Sequence, residues 1–364
     1  METQFLQKKI INTEINDYIS QPMFLGQKGI QRFDEYKYKF LYNKYIEQKG
    51  SNWNPEEVSL VKDRTDFKSL PEDLKFIFTA NLSYQTLLDT DQVRGMTLLL
   101  DYVSLNELES AMVEWLRFEN LHSYSYTYIV RNVIPNPKKF FDDIFRDKYI
   151  KERAEATTKF YNDLLNVDST NIEDIKDKIY LLLVAMNILE GIRFYVSFAC
   201  SYAFAEQTPA LMEGNAKIIF LINKDENIHL QISQFILKQL RNNETEGFTE
   251  VAKRNEEKVY RMFEDAAKEE MEWADYIFQS GSLLGLNATI LKDYMKWLTN
   301  RRMKALELKP LFGNINSTNP LSWIDKWTDS KKINVAPQET ELETYKIGSY
   351  KRDTDSEFYE SLNL

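Results

Sequence analysis

Between Tyr180 and Ala205 the chain is almost continuously apolar and long enough to cross a bilayer. Asn187, Glu190 and Arg193 stand near the middle of that run. Charged side chains at such a depth are expensive in lipid. The run therefore reads as a helix buried inside a large soluble protein rather than as a membrane span.

A carboxylate in that setting imposes a second constraint. Left unpaired, Glu190 would be costly as an anion and would tend to take up a proton. Arg193, three residues further on, offers an internal ion pair; a metal ion offers the other solution. The chain contains only two histidines, and both occur in one local pattern, Glu119-Asn-Leu-His122 and Glu226-Asn-Ile-His229. A Glu and a His three apart on a helix project from neighbouring positions of one face. Two such pairs, with one carboxylate from each of two other helices, form the donor set of di-iron carboxylate bundles. One copy in a Glu-rich chain carries little weight. Two copies that use every histidine carry more, and they tip Glu190 toward metal.

The fourth carboxylate belongs to the helix that follows Ser69. Asp89 is the best candidate there, with Asp91 competing on spacing alone. Asp89, Glu119, Glu190 and Glu226 bring four negative charges, which two ferrous ions balance, as a buried site favours. Mixed carboxylate and imidazole donors without thiolates suit iron or manganese rather than structural zinc. Beyond His122 come Tyr124, Tyr126 and Tyr128. At about 100° per residue, Tyr126 shares the face of His122 and Glu119, while its two neighbours point elsewhere. Phe194 and Phe198, four and eight residues beyond Glu190, would line the same pocket with oxidation-resistant surface.

Glycine (11) and proline (9) are scarce for 364 residues, which leans the whole chain toward long helices. The spacing predicts helices near 71–95, 105–132, 138–165, 172–206, 209–241, 248–280 and 288–306. Ser69 with Glu72, Ser104 with Glu107, and Thr170 with Glu173 read as capping boxes. Thr208-Pro209 and Asn287 read as further starts, and Pro135-Asn136-Pro137 as a stop. The expected organisation is an extended segment over 1–30, one helical domain over 31–315, and a flexible tail over 316–364. The stretch from Thr340 to Leu364 is mostly charged and polar, either a solvated tail or a segment that orders on a partner.

A net charge of −10 argues against general affinity for nucleic acid. The single cysteine, Cys200, allows no internal disulfide and no CxxC pair, which fits a reduced, cytoplasmic setting. Met1 to Ile10 has no apolar core of a signal peptide.

These residues closely resemble the small (beta) subunit of class I ribonucleotide reductase. The likeness is carried by Gln21-Pro-Met-Phe-Leu-Gly26, Trp53-Asn-Pro-Glu-Glu-Val58, Tyr84-Gln-Thr-Leu-Leu-Asp89 and Glu119-Asn-Leu-His-Ser-Tyr-Ser-Tyr126. It continues through Glu190-Gly-Ile-Arg-Phe-Tyr-Val-Ser-Phe198, Met212-Glu-Gly-Asn-Ala216, Asp225-Glu-Asn-Ile-His229 and Pro337-Gln-Glu339. The resemblance implies an all-α, ferritin-like helical bundle with additional helices and a di-iron site in its core. It implies Asp89, Glu119, His122, Glu190, Glu226 and His229 as metal ligands, choosing Asp89 over Asp91. Tyr126 matches the radical tyrosine, and Phe194, Phe198 and Ile222 match the apolar pocket around it. Trp53 and Asp225 match the start of a radical-transfer route that joins the metal through His122. Tyr345 matches the tail tyrosine of that route, placed by the Pro-Gln-Glu context although Tyr350 and Tyr359 lie nearby. Tyr359 to Leu364 match the segment that docks on the large (alpha) subunit.

The implied cofactor is two iron ions per chain as an oxo-bridged diferric centre, with manganese also possible. Dioxygen would be the oxidant and the chain a homodimer, without a nucleic-acid or membrane partner. The implied activity is formation of a tyrosyl radical used by the large subunit to reduce ribonucleoside diphosphates. Two rivals share the donor pattern: a di-iron oxidase acting on its own substrate, and an iron-storage protein of ferritin type.

Overall fold

The computed structural model describes residues 10–14, 19–283 and 285–328. Tyr345, Tyr350, the Pro337-Gln-Glu339 context and the segment from Tyr359 to Leu364 lie outside the described residues. Two shorter helices, α1 (Lys39–Gly50) and α2 (Val61–Ser69), precede a long pair, α3 (Glu72–Leu100) and α4 (Asn106–Val133). Next come α5 (Pro137–Ile144) and α6 (Lys148–Leu165). The apolar run forms a rod made of α7 (Ile172–Ile188), a π-helical segment (Leu189–Arg193) and α8 (Tyr195–Ala205). After it come α9 (Glu213–Asn242), α10 (Thr249–Arg254), α11 (Glu256–Ile277), α12 (Ala288–Ala305) and the single turn α13 (Asp325–Thr328). Among the described residues there is no strand, only isolated bridges pairing Phe24 with Val103 and Leu283 with Leu286.

The core is a ring of four helices: α3 packs on α4, α4 on α9, α9 on α8, and α8 back on α3. The most apolar stretch of the 172–205 rod lies entirely inside the fold. Its all-round hydrophobicity is thus matched by neighbours on every side, as a central helix requires.

Two glycines set how closely the ring is wrapped. Gly95 lies inside α3, where glycine costs about 1 kcal/mol relative to alanine. A Cβ there would fall 1.9 Å from Cδ1 of Tyr161 on α6, so the ring of Tyr161 occupies the space that glycine leaves. Gly214, at the start of α9, lies against α2 and the loop before it: a Cβ would fall 2.6 Å from the Ser59 carbonyl and 2.8 Å from Asp63.

That second contact solves a capping problem. The residue before α9, Met212, is left-handed (φ 52°) and offers no side-chain cap. Asp63 of α2 supplies one from a distance, its carboxylate accepting from Gly214 N (3.0 Å) and Asn215 N (2.7 Å). Asp66 accepts from Met212 N at 3.0 Å. The orphan donors of the helix start are thereby satisfied, and α2 is pinned to α9, the helix carrying the second Glu-x-x-His.

Several expected boundaries differ. None of the three capping boxes forms. α3 begins after Pro71 without a side-chain cap, and the Ser69 hydroxyl instead donates to Asp66 O. Ser104 is drawn to the N-terminal segment, donating to Pro22 O and accepting from Gly26 N. Asn171 displaces Thr170, its side chain accepting from Asp174 N. Asparagine competes well with threonine for this position. The run expected from Pro209 starts only at Glu213, because left-handed Met212 interrupts it. The 138–165 stretch divides where Asp147 caps α6 through Tyr149 N and Ile150 N. The 248–280 stretch divides at Asn255. Asn287 caps α12 as read, accepting from Ile290 N.

Candidate metal centre

The four-helix ring brings six buried donors into one place. Asp89 comes from α3, Glu119 and His122 from α4, Glu190 from the π segment, and Glu226 and His229 from α9. All are fully buried. They fall into two overlapping groups whose donor atoms lie within 4.8 Å of one another: Asp89, Glu119, His122 and Glu226; and Glu119, Glu190, Glu226 and His229. Glu119 and Glu226 belong to both. Each presents one oxygen to each imidazole. Glu226 Oε1 lies 3.1 Å from His122 Nδ1 and its Oε2 2.9 Å from His229 Nδ1. Glu119 Oε2 lies 3.7 Å from His122 Nδ1 and its Oε1 3.2 Å from His229 Nδ1. The two imidazole centroids are 5.9 Å apart.

The polar atoms in this cluster are under-satisfied by the protein itself. Both oxygens of Asp89, Glu119 Oε2, Glu190 Oε2, Glu226 Oε1 and His122 Nδ1 are buried without a hydrogen bond. Such atoms are rare unless an ion or water completes them. A pair of divalent cations would complete all of them, one between the His122 and Asp89 side and one between the His229 and Glu190 side. The cluster can therefore hold a dimetal site, and its donor chemistry fits iron or manganese.

Electrostatics point the same way. Burial pushes the Asp89 carboxyl well above the usual range, and Glu119 and Glu226 push it further. Burial does the same to Glu190, again aided by Glu226 and Glu119. For His122, burial opposes the charged form, yet Glu226, Asp225 and Glu119 outweigh it and raise the imidazole well above its ordinary value. Burial also opposes charge on His229, and Glu119 and Glu226 again prevail. Glu226 moves the other way: burial would raise it, but His122, Glu190 and His229 hold it below the usual carboxylate range. The pocket thus demands positive charge, supplied by protons or by metal.

Around the donors, Tyr126 is buried on the same face of α4, and its hydroxyl lies beside Asp89 without a well-aligned hydrogen bond. Tyr124 is 45% exposed and Tyr128 donates to Val58 O, so neither joins the cluster. Trp53 Nε1 donates to Asp225 Oδ2 (2.7 Å), which lies 3.3 Å from His122 Nε2. The Trp53 and His122 rings are stacked with centroids 6.2 Å apart. Phe194 and Phe198 are buried and stacked on each other at 5.5 Å, and Ile222 is buried on α9 one turn before Glu226. Asp91 is not in the cluster; it accepts from Thr158 Oγ1 at 2.7 Å. Arg193 does not pair with Glu190 either. It reaches Glu269 at 2.7 Å, which removes the internal ion pair as an explanation of the buried carboxylate.

Three site neighbours went unread in the sequence. Trp115 donates to Glu119 Oε1 (2.7 Å) and stacks on His229 with centroids 4.9 Å apart. Gln92 donates to Glu190 Oε1, and Tyr161 donates to Gln92 Oε1. Trp115 stands four residues before Glu119 and Gln92 three after Asp89, so helical spacing places both near the donors. Nothing in the sequence points to Tyr161.

Comparison with known proteins agrees with this geometry. The family model described as "Ribonucleotide reductase, small chain" matches residues 31–320. The "Ribonucleoside-diphosphate reductase 1 subunit beta" of Salmonella typhimurium is 41% identical, over 96% of this chain and 97% of its own length. The "Ribonucleoside-diphosphate reductase subunit beta" of Buchnera aphidicola subsp. Baizongia pistaciae is 43% identical over the same shares. Among solved structures, the "Ribonucleotide reductase R2 subunit from Clostridium botulinum" is 28% identical with a TM-score of 0.79, covering 88% of this chain and 98% of that one. The fold, the buried carboxylate and histidine cluster and these likenesses converge: the chain belongs to the ribonucleotide reductase small-chain family.

Proposed function

We propose that this chain is the radical-generating small subunit of a class I ribonucleoside-diphosphate reductase, with Asp89, Glu119, His122, Glu190, Glu226 and His229 as ligands to two iron ions and Tyr126 as the radical site. The observation that carries this reading is the convergence of six donors from separate helices with one buried phenol beside Asp89. Iron held there supplies reductive activation of dioxygen and the oxidising power to remove one electron from a phenol.

The protein's own groups define the rest. Burial, then Asp89, Glu226 and Glu119, push the Tyr126 phenol well above its ordinary value. Phenolate is therefore not populated, and loss of an electron must be accompanied by loss of the hydroxyl proton. With its own proton displaced by metal, the Asp89 carboxylate is the neighbouring base that would accept the hydroxyl proton. Phe194, Phe198 and Ile222 contribute apolar bulk that keeps water and reductants from a neutral radical. Trp53, Asp225 and His122 form a contiguous hydrogen-bonded chain leading away from the cluster. Along it an electron moves while Asp225 keeps the Trp53 indole N–H and His122 in register. Tyr345 would continue the route toward the large subunit, and the tail ending at Leu364 would dock there. The chain would act as a homodimer in the cytoplasm, its helical domain spanning about residues 31–315.

The deciding experiment is anaerobic loading with ferrous iron, exposure to oxygen, and low-temperature electron paramagnetic resonance with metal counted on the same sample. A tyrosyl signal at two irons per chain supports the reading. Turnover of a small substrate without a large subunit, or uptake of many irons per chain, would sink it in favour of an independent oxidase or a storage protein.

A further inference from the structure

Glu190 is held from two directions. Its backbone belongs to the π segment, where widened turns disturb the regular carbonyl pattern. From α12, Arg302 Nε donates to the Gly191 carbonyl at 3.0 Å and ties that segment in place. Its side chain is held from α3, where Gln92 Nε2 donates to Glu190 Oε1.

A glutamine amide can present either end, and its neighbours decide which. Here the Tyr161 hydroxyl donates to Gln92 Oε1, leaving the NH2 to face the acceptor-only carboxylate. Tyr161 reaches that point because Gly95 leaves room for its ring against α3. Gln92 and Tyr161 are both buried, which shields these bonds from bulk solvent.

The consequence is an inequality between the two terminal carboxylates. Asp89 has no well-aligned hydrogen bond on either oxygen, the Tyr126 hydroxyl lying beside it. Glu190 keeps only Oε2 free, the oxygen 3.9 Å from His229 Nδ1. We infer that Gln92, oriented by Tyr161, is a positioning residue that turns Glu190 so that Oε2 alone serves the metal position on the His229 side. This rests on the proposed role of Glu190 as a ligand. On the His122 side the restraint falls on the imidazole, through Asp225, and not on the carboxylate, and the two positions accordingly differ in affinity.

The test is anaerobic titration of the full chain with Mn(II), which does not require turnover, with free Mn(II) counted by its paramagnetic resonance signal. The unaltered chain should bind two ions in two distinguishable steps. Gln92→Leu should weaken one step about tenfold or more, in the range lost with outer-sphere partners, and leave the other within about twofold. Tyr161→Phe keeps the ring under Gly95 and removes only the donor. It should weaken the same step by about threefold or more, and it decides the matter if Gln92→Leu does not fold. Glu190→Ala should abolish that step, which identifies it. Failure of the unaltered chain to bind two ions would overturn the ligand assignment itself. Two normal steps in folded Gln92→Leu, or in Tyr161→Phe where that variant must decide, would overturn only the positioning role.

Discussion

Tyr126 has a buried hydroxyl with Asp89 as its neighbouring base, and that pairing gives the sharpest residue-level expectation. Tyr126→Phe removes one oxygen and no metal donor. It should leave metal stoichiometry unchanged and eliminate the radical signal; a persistent signal would move the radical to another tyrosine. Protonation of the donors gives a second expectation. Asp89, Glu190, His122 and His229 are all raised, so the metal-free fold holds protons there that its unfolded chain releases. Stability from those groups is present at low pH and fades as pH rises through the raised values; Glu226 alone runs the other way. Cations must displace the protons, so metal binding strengthens as pH rises. The gain in melting temperature on adding Mn(II) should therefore be larger near pH 8 than near pH 6, with both values being about one unit either side of neutrality. An equal gain at both would contradict the proton-for-metal exchange.

The same scale shows what the sequence made readable. Glu119 with His122, and Glu226 with His229, were legible because each pair lies within one helical turn. Asp89 against Asp91 was not settled by spacing, since both sit on one turn and only the fold shows Asp91 engaged by Thr158. Trp115 was hidden by its type, because an aromatic at helical spacing reads first as core. Tyr161 could not be found at all, since its partner Gln92 lies 69 residues away.

At the level of elements, the weak point is the start of α9. Asp63 satisfies two buried N–H groups there, and burial already raises its own carboxyl. Asp63→Ala leaves those donors unpaired and should destabilise the fold by about 2 kcal/mol. Denaturant titration checks this, and a change under about 0.5 kcal/mol would show that water replaces the cap. Because α9 carries Glu226 and His229, the variant should also load metal less completely. Long-range caps of this kind explain why the places of the long helices were readable while most of the residues that cap them were not; the short helices α1 and α2 were not expected at all. A local Ser/Thr-x-x-Glu pattern competes with whatever the tertiary fold brings near. Ser104 was lost to the N-terminal segment at Pro22, Ser69 to the Asp66 carbonyl, and Thr170 to its neighbour Asn171. The π segment was equally invisible, since widening a turn around Glu190 leaves the apolar pattern of a wholly buried rod unchanged.

For the whole molecule, burial of the 172–205 rod among its neighbouring helices resolves the tension in its composition, largely apolar yet carrying Glu190 and Arg193. The proposed division of labour predicts that deleting the chain from Thr340 onward leaves metal and radical formation intact and abolishes large-subunit binding. Co-sedimentation and radical yield on one preparation check both halves. Retained binding would place the docking surface on the helical body.

The two Glu-x-x-His copies look interchangeable on paper, but their outer nitrogens do not. His122 Nε2 is engaged by Asp225, while His229 Nε2 has no hydrogen-bond partner. Among the described residues, only the His122 side of the centre is therefore joined through Asp225 to Trp53. If two different metals ever share this centre, swapping them would change which one lies beside that connection, so the order of filling becomes part of the chemistry.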